Sequence, residues 1–233
     1  MPARRTGETG PDFAIDAAGS AAAPHVPRDK DGGPAPLDEL AEAARDCTAC
    51  ELHEHATQTV FGEGRTGAAV MLVGEQPGDR EDLAGHPFVG PAGQLLDRAL
   101  AEAWIVRDEV YVTNAVKHFY FTERGKRRVH AKPKARHLRA CRAWLIAEIL
   151  AVRPRIVVCL GASAAQSLLG ASFRLTRDRG AARPLIGDVA VIATFHPSAL
   201  LRATDEGSRR ERMEGLVADL REAARLAGRV RRG

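Results

Sequence analysis

No apolar run in this 233-residue chain approaches the length that crosses a bilayer. Its N-terminus also lacks an uninterrupted apolar core followed by a cleavage site. Those absences exclude a helical membrane protein and a secretory leader, and predict a soluble, cytoplasmic protein that makes no membrane contact. The G-x-G-x-x-G spacing of a dinucleotide site is missing, as is the Lys-Ser/Thr ending of a P-loop, so no nucleotide cofactor is expected. Internal repeats are absent. Cysteine is scarce at four residues, and in a reducing compartment these are not expected to form disulfides.

The charge that is present is unevenly spread. The formal net charge is only +4, yet Lys117 to Arg142 holds ten Lys or Arg residues against one acid, Glu123. Such a patch predicts a polyanionic partner. Its densest part, "GKRRVHAKP" (125–133), lies between Gly and Pro and reads as a loop, with His130 following Lys126, Arg127, Arg128 and Val129.

Four short runs, "AAVMLVGE" (68–75), "EVYVTNAV" (109–116), "RIVVCLG" (155–161) and "VAVIATF" (189–195), are apolar on both faces, as strands covered by helices tend to be. Helical patterns at 91–105, 135–152 and 162–170 alternate with them, and two more, near 37–46 and 208–227, flank the set. This order predicts a three-layer α/β/α sandwich around a four-stranded parallel sheet. The length suits a single domain, placed at 36–228. Residues 1–35, rich in Ala, Gly, Pro and charge without apolar period, read as a disordered tail. Ligands of such sheets sit outside the carboxyl ends of the strands, which directs attention to "GEQPG" (74–78), "NAVKH" (114–118) and "HPSALLR" (196–202).

Cys47 and Cys50 form a C-x-x-C pair at the end of the first helix, Cys141 falls in the helix at 135–152 and Cys159 in the third strand. Used together they predict a metal site, since a helix-to-strand contact would bring Cys141 and Cys159 together. Four thiolates hold either zinc or an iron–sulfur cluster, and their wide scatter along the chain favours the cluster.

The stretch "GEQPGDREDLAGHPFVGPAGQLLD" (74–97), with "VYVTNAVK" (110–117), "HPSALLR" and the four cysteines, resembles the iron–sulfur uracil-DNA glycosylases of family 4 over roughly residues 37 to 225. Two departures, Gln76 in place of a small residue and the "KRRVH" insertion, are similar to the UdgX subgroup, whose members stay attached to the DNA they act on. The resemblance implies a uracil-DNA glycosylase fold, a [4Fe-4S] cluster on Cys47, Cys50, Cys141 and Cys159, and uracil-containing DNA as partner, bound by a monomer and with single strands preferred or accepted.

It also implies roles. Phe88 would stack on uracil, Asn114 would match its O4 and N3–H, and Gln76 would border the base. His196 would donate to O2 as charge develops there. Lys126, Arg127, Arg128 and Arg202 would grip phosphates, and Leu200 or Leu201 would fill the space the base vacates. His130 would attack C1′, with Glu75 orienting it and receiving or relaying its proton. The hairpin's cations would help to keep His130 unprotonated. Two other readings remain: an ordinary hydrolytic glycosylase releasing free uracil, and a non-catalytic iron–sulfur protein that binds DNA.

Overall fold

The computed structural model describes residues 20–228. At its centre is a sheet in which β1 (Val70–Gly74), β2 (Tyr111–Asn114), β5 (Ile156–Leu160) and β7 (Val189–Thr194) run parallel. The spatial order is β2-β1-β5-β7-β6, and β6 (Arg183–Ile186) pairs antiparallel with β7. The sheet is therefore five-stranded and mixed, where the apolar runs predict four parallel strands. The extra strand, "RPLI", opens on Arg and Pro and its register slips between Pro184 and Ile186, as suits an edge strand that needs few ladder bonds.

Alternation along the strands divides the core into two layers. Val70, Leu72, Val112, Ile156, Val158 and Ile192 face α3 (Pro91–Glu102) and α8 (Glu206–Leu226). Met71, Val73, Tyr111, Val157, Cys159 and Val191 face α4 (Ala135–Val152) and α5 (Ala162–Leu169). Helix α4 is apolar nearly all round because it is buried twice. Leu145, Ile149 and Val152 meet the sheet, while Trp144, Ala143 and Ala147 meet α1 (Leu37–Arg45) and the segment before it.

That segment departs from the expected tail. Ser20 donates to the Ala140 carbonyl at 2.6 Å, and Ala22 and Ala35 are buried against α4. Small residues need little side-chain area to pack closely, so a stretch with no apolar period still seals the outer face of the helix. The remainder of the expected tail, residues 1–19, lies outside the described residues.

The basic segment departs too. Instead of a loop, β3 (Phe121–Arg124) and β4 (Arg127–His130) form an antiparallel hairpin, a two-stranded sheet separate from the central one. Its turn is Gly125–Lys126, with Gly125 at φ 60° in the first position, where tight hairpins favour glycine. The short helices α2 (Asp79–Ala84), α6 (Leu175–Asp178) and α7 (Ser198–Leu201) complete the chain around the strand ends. Among the described residues no helix is long and apolar enough to cross a membrane.

Candidate active site

Parallel register brings the ends of β1, β2, β5 and β7 to one edge, with Gly74 beside Asn114 and Leu160 beside Thr194. A cleft of about 640 Å³ opens there, lined by Glu75, Phe88, Asn114, His130, His196 and Arg202 among others. The three sequence-distant motifs and the basic hairpin thus meet at one place.

Its floor depends on two glycines. A side-chain carbon at residue 74 would run into Asn114 Oδ1 and the Phe88 ring, and one at residue 93 would collide with the Phe88 carbonyl. Phe88 itself has φ 58°, a left-handed conformation that is costly for an aromatic residue. Its ring lies roughly parallel to that of His196, with centroids 6.1 Å apart and planes inclined by 28°. Asn114 is 2 % exposed, and its Oδ1 is buried without a hydrogen-bond partner among the described residues. A buried acceptor left open is costly unless a ligand fills it.

His196 is held as a donor. The Ser198 backbone N–H donates to its Nδ1 at 3.1 Å, so the neutral ring carries its proton on Nε2. Burial, reinforced by Arg202 and His130, lowers its pKa to about 4, so that neutral form is the one present at pH 7.

His130 stands at the end of β4 with Nε2 3.5 Å from Glu75 Oε1 and its side chain 48 % exposed. Its pKa is lowered, chiefly by burial; Glu75 opposes that shift and Arg202 adds to it. The cation that helps to keep it neutral is thus Arg202, not the hairpin's own cations as expected.

The three hairpin cations have separate fates. Lys126 and Arg127 are exposed and have no ion-pair partner among the described residues. Arg128 turns inward: its Nε donates to Asp79 Oδ1 at 2.6 Å and its Nη1 to the fully buried Asp82 at 2.5 Å and to Thr57 Oγ1 at 3.1 Å. The guanidinium also lies over Phe119 and Phe121, at 5.4 and 5.2 Å. So placed, Arg128 fastens the hairpin to α2 and is not free to meet a phosphate. Gln76, expected beside uracil, likewise has its amide engaged by the backbone at residues 120 and 131. Of the two leucines, Leu200 is 1 % exposed within the core, leaving Leu201, at 51 %, as the apolar residue free to enter DNA. Lys132, which also lines the cleft, is a cation the motifs did not single out.

A second constellation lies behind Asn114. Lys117 and Glu148, both buried, form an ion pair. Tyr111, Thr113 and the Gly62 N–H also donate to Glu148, at 2.9 to 3.1 Å. The Lys117 ammonium donates to the Asn114 carbonyl at 2.8 Å, while its backbone N–H donates to Cys141 Sγ at 3.3 Å. One residue therefore joins the base-reading position to the cysteine wall.

Three thiols gather at that wall. Cys141 is pushed up to about 12 by burial, and both Cys47 and Cys50 act on it electrostatically; Trp144 Nε1 donates to Cys47 Sγ at 3.1 Å. Cys159 is not with them. It points into the layer between sheet and α4, and burial alone raises its pKa. Cys141 is on the opposite face of α4, so helix-to-strand adjacency does not unite the two. Two imidazoles border the triad, neither anticipated as functional. His53 Nδ1 is 2.7 Å from the Cys50 carbonyl, and His118 Nε2 is 2.8 Å from Thr59 Oγ1, which in turn donates to the Ala44 carbonyl. Among the described residues no three His, Cys, Asp or Glu side chains converge on a single ion position. Cys47, Cys50 and Cys141 suit a cluster; Cys159 does not.

A model of the uracil DNA glycosylase superfamily matches residues 61–221. The chain belongs to that superfamily. It is 38 % identical over 181 residues to the type-4 uracil-DNA glycosylase of Thermotoga maritima, covering 77 % of this chain and 91 % of the relative. Against the type-4 enzymes of Archaeoglobus fulgidus and Pyrobaculum aerophilum the identity is 36 %, each over 71 % of this chain and 83 % and 85 % of the relatives. Membership makes this chain an enzyme, a uracil-DNA glycosylase in kind. It also accounts for the alignment of the open amide, the stacked ring and the neutral imidazole along one cleft.

Proposed function

We propose that this glycosylase excises uracil from DNA and is left joined, through His130, to C1′ of the abasic sugar. The observation that carries the reading is the position of His130: an imidazole kept neutral by burial, inside the cleft, beside Glu75 and on an arm separate from the sheet.

An extruded uracil would stack on Phe88 and present N3–H to the open Asn114 Oδ1 while its O4 accepts from the same amide. Cytosine, with an acceptor at N3, mismatches that oxygen. As the C1′–N1 bond breaks, its electron pair passes to uracil, and His196 Nε2–H donates to the O2 that gains charge. One such donor in a water-poor site is worth about 3 kcal/mol of barrier. The Glu75 carboxylate stabilises the cationic sugar. One nitrogen of His130 then supplies its lone pair to C1′, giving an imidazolium whose other nitrogen loses its proton to Glu75. Loss of that proton removes the good leaving group and makes the bond persist.

Lys126, Arg127 and Arg202 are the cations free to meet phosphates, and Leu201 is placed to fill the gap. Single-stranded DNA is the substrate we propose as preferred, because extrusion there breaks no base pair; the complete site resides in one chain, as a monomer requires. Cys47, Cys50 and Cys141 would hold an iron–sulfur cluster with a fourth donor other than Cys159. When bound, it would supply a covalent staple between the end of α1 and α4.

A second reading, hydrolytic release of uracil, is favoured by the half-exposure of His130, which leaves solvent a route to the sugar. A uracil-bearing oligonucleotide, incubated with the protein and run on a denaturing gel, separates the two. A shifted band that survives boiling and disappears in His130→Gly supports the adduct. Free uracil and an abasic strand without a shifted band favour hydrolysis and reject it.

A further inference from the structure

The residue that follows Glu75 in the chain and the residue that follows His130 are joined by a side chain. Gln76 Nε2 donates to the Tyr120 carbonyl at 3.0 Å and to the Ala131 carbonyl at 3.1 Å, while its Oε1 accepts from the Tyr120 N–H at 3.2 Å. The side chain is 6 % exposed, and both amide hydrogens and the oxygen are engaged.

Residues 120 and 131 are the two legs of the hairpin at its open end, one step beyond the Phe121–His130 pair, and Ala131 N–H closes them by donating to the Tyr120 carbonyl at 3.0 Å. A two-stranded hairpin of four residues a side is marginal by itself, and this one shares no ladder with the central sheet. Its fixed points are side chains: Arg128 ties β4 to α2, and Gln76 ties the open end to the tip of β1. Only the second acts next to the chemistry. Fixing the Ala131 carbonyl to residue 76 fixes the chain one residue from His130 relative to the chain one residue from Glu75.

We propose that Gln76 is a positioning residue for His130 and not a contact to uracil. It selects which acceptor meets the sugar cation: with the open end held, the imidazole is at C1′ ahead of water; with it released, water takes that place. This rests on the reading of His130 as the group that bonds to C1′. Base recognition and leaving-group stabilisation belong to Phe88, Asn114 and His196, none of which has a hydrogen bond to the Gln76 amide, so cleavage and capture separate on substitution here.

The test uses single-turnover reactions of the full chain on a uracil-containing single strand, reading released uracil and boiling-resistant adduct in the same samples. Gln76→Ala and the volume-keeping Gln76→Met should both release uracil within about threefold of the parent rate. The ratio of adduct to abasic strand should fall by about tenfold or more, in line with the cost of a reacting group displaced by an ångström. Hydrogen exchange should quicken at Tyr120 and Ala131 in both variants, and unfolding temperature shows whether the domain stays intact. Loss of uracil release with an unchanged ratio would make Gln76 a base contact and overturn the inference. An unchanged ratio with unchanged release, or unaltered exchange at the hairpin base, overturns it as well. Failure of the parent protein to form any adduct removes the reading of His130 itself, and this inference falls with it; an adduct in the parent with an unmoved ratio in both variants removes only the role of Gln76.

Discussion

Replacing Arg128 by Met should weaken the fold and leave the electrostatics of DNA binding alone, and replacing Arg127 by Ala should do the reverse. Arg128 is one partner of a pair whose other member, Asp82, is fully buried. Removing one side of a buried pair costs about 3–5 kcal/mol. Asp82 keeps two bonds from the Thr57 N–H, at 3.0 and 3.1 Å, and Met keeps some contact with the Phe119 and Phe121 rings, so the low end, about 3 kcal/mol, applies. In a domain of this size each kcal/mol moves the unfolding midpoint by about 2–4 °C, giving a fall of about 6–12 °C. Arg127 is exposed and unpaired, so its loss should stay within about 0.5 kcal/mol. Each phosphate contact to a single strand contributes about 0.7 to the slope of log K against log salt. Fluorescence anisotropy on a uracil-free strand across a salt series, beside thermal melts, reads both quantities. The expected result is a slope shallower by about 0.7 in Arg127→Ala with an unchanged melt, and an unchanged slope with a lowered melt in Arg128→Met. A shallower slope and an unmoved melt in Arg128→Met would refute the assignment of that guanidinium to the fold.

Two further outcomes follow from the site. Cys159→Ala should retain the visible absorption of a cluster in protein isolated without oxygen, and Cys141→Ala should lose it; bleaching by the first substitution would restore Cys159 to the ligand set. Because the His130 pKa is lowered from its ordinary 6.5, the imidazole is neutral at pH 8 and stays largely so at 6.5. Adduct formation should hold between those values and decline only as pH falls further and the lone pair is protonated. A decline that begins above 6.5, read by quenched denaturing gels, would contradict burial as the dominant influence on that ring.

The sequence made the central layer readable because four strands buried on both faces leave unbroken apolar runs. It hid β6, whose Arg and Pro belong to an edge. It hid the hairpin for a different reason: "FTER" and "RRVH" have no buried face to alternate toward, since their support comes from Arg128 and Gln76 side chains reaching other elements. The identities of Phe88, Asn114 and His196 were legible from motif position, and the structure brings them to one cleft. Cys159 misled because chain proximity does not report which face of α4 a neighbour meets. Leu200 and Leu201 were indistinguishable until the turn of α7 placed one inward and the other outward.

The arm that bears His130 is attached to the rest of the protein by polar side chains and not by strand pairing. It can therefore be shortened, swapped or transplanted without rewriting the β-layer beneath it. A scaffold that already cuts the glycosidic bond needs only a short insertion, a glutamine and an acid–arginine anchor to acquire such an arm, and a few substitutions suffice to retire it.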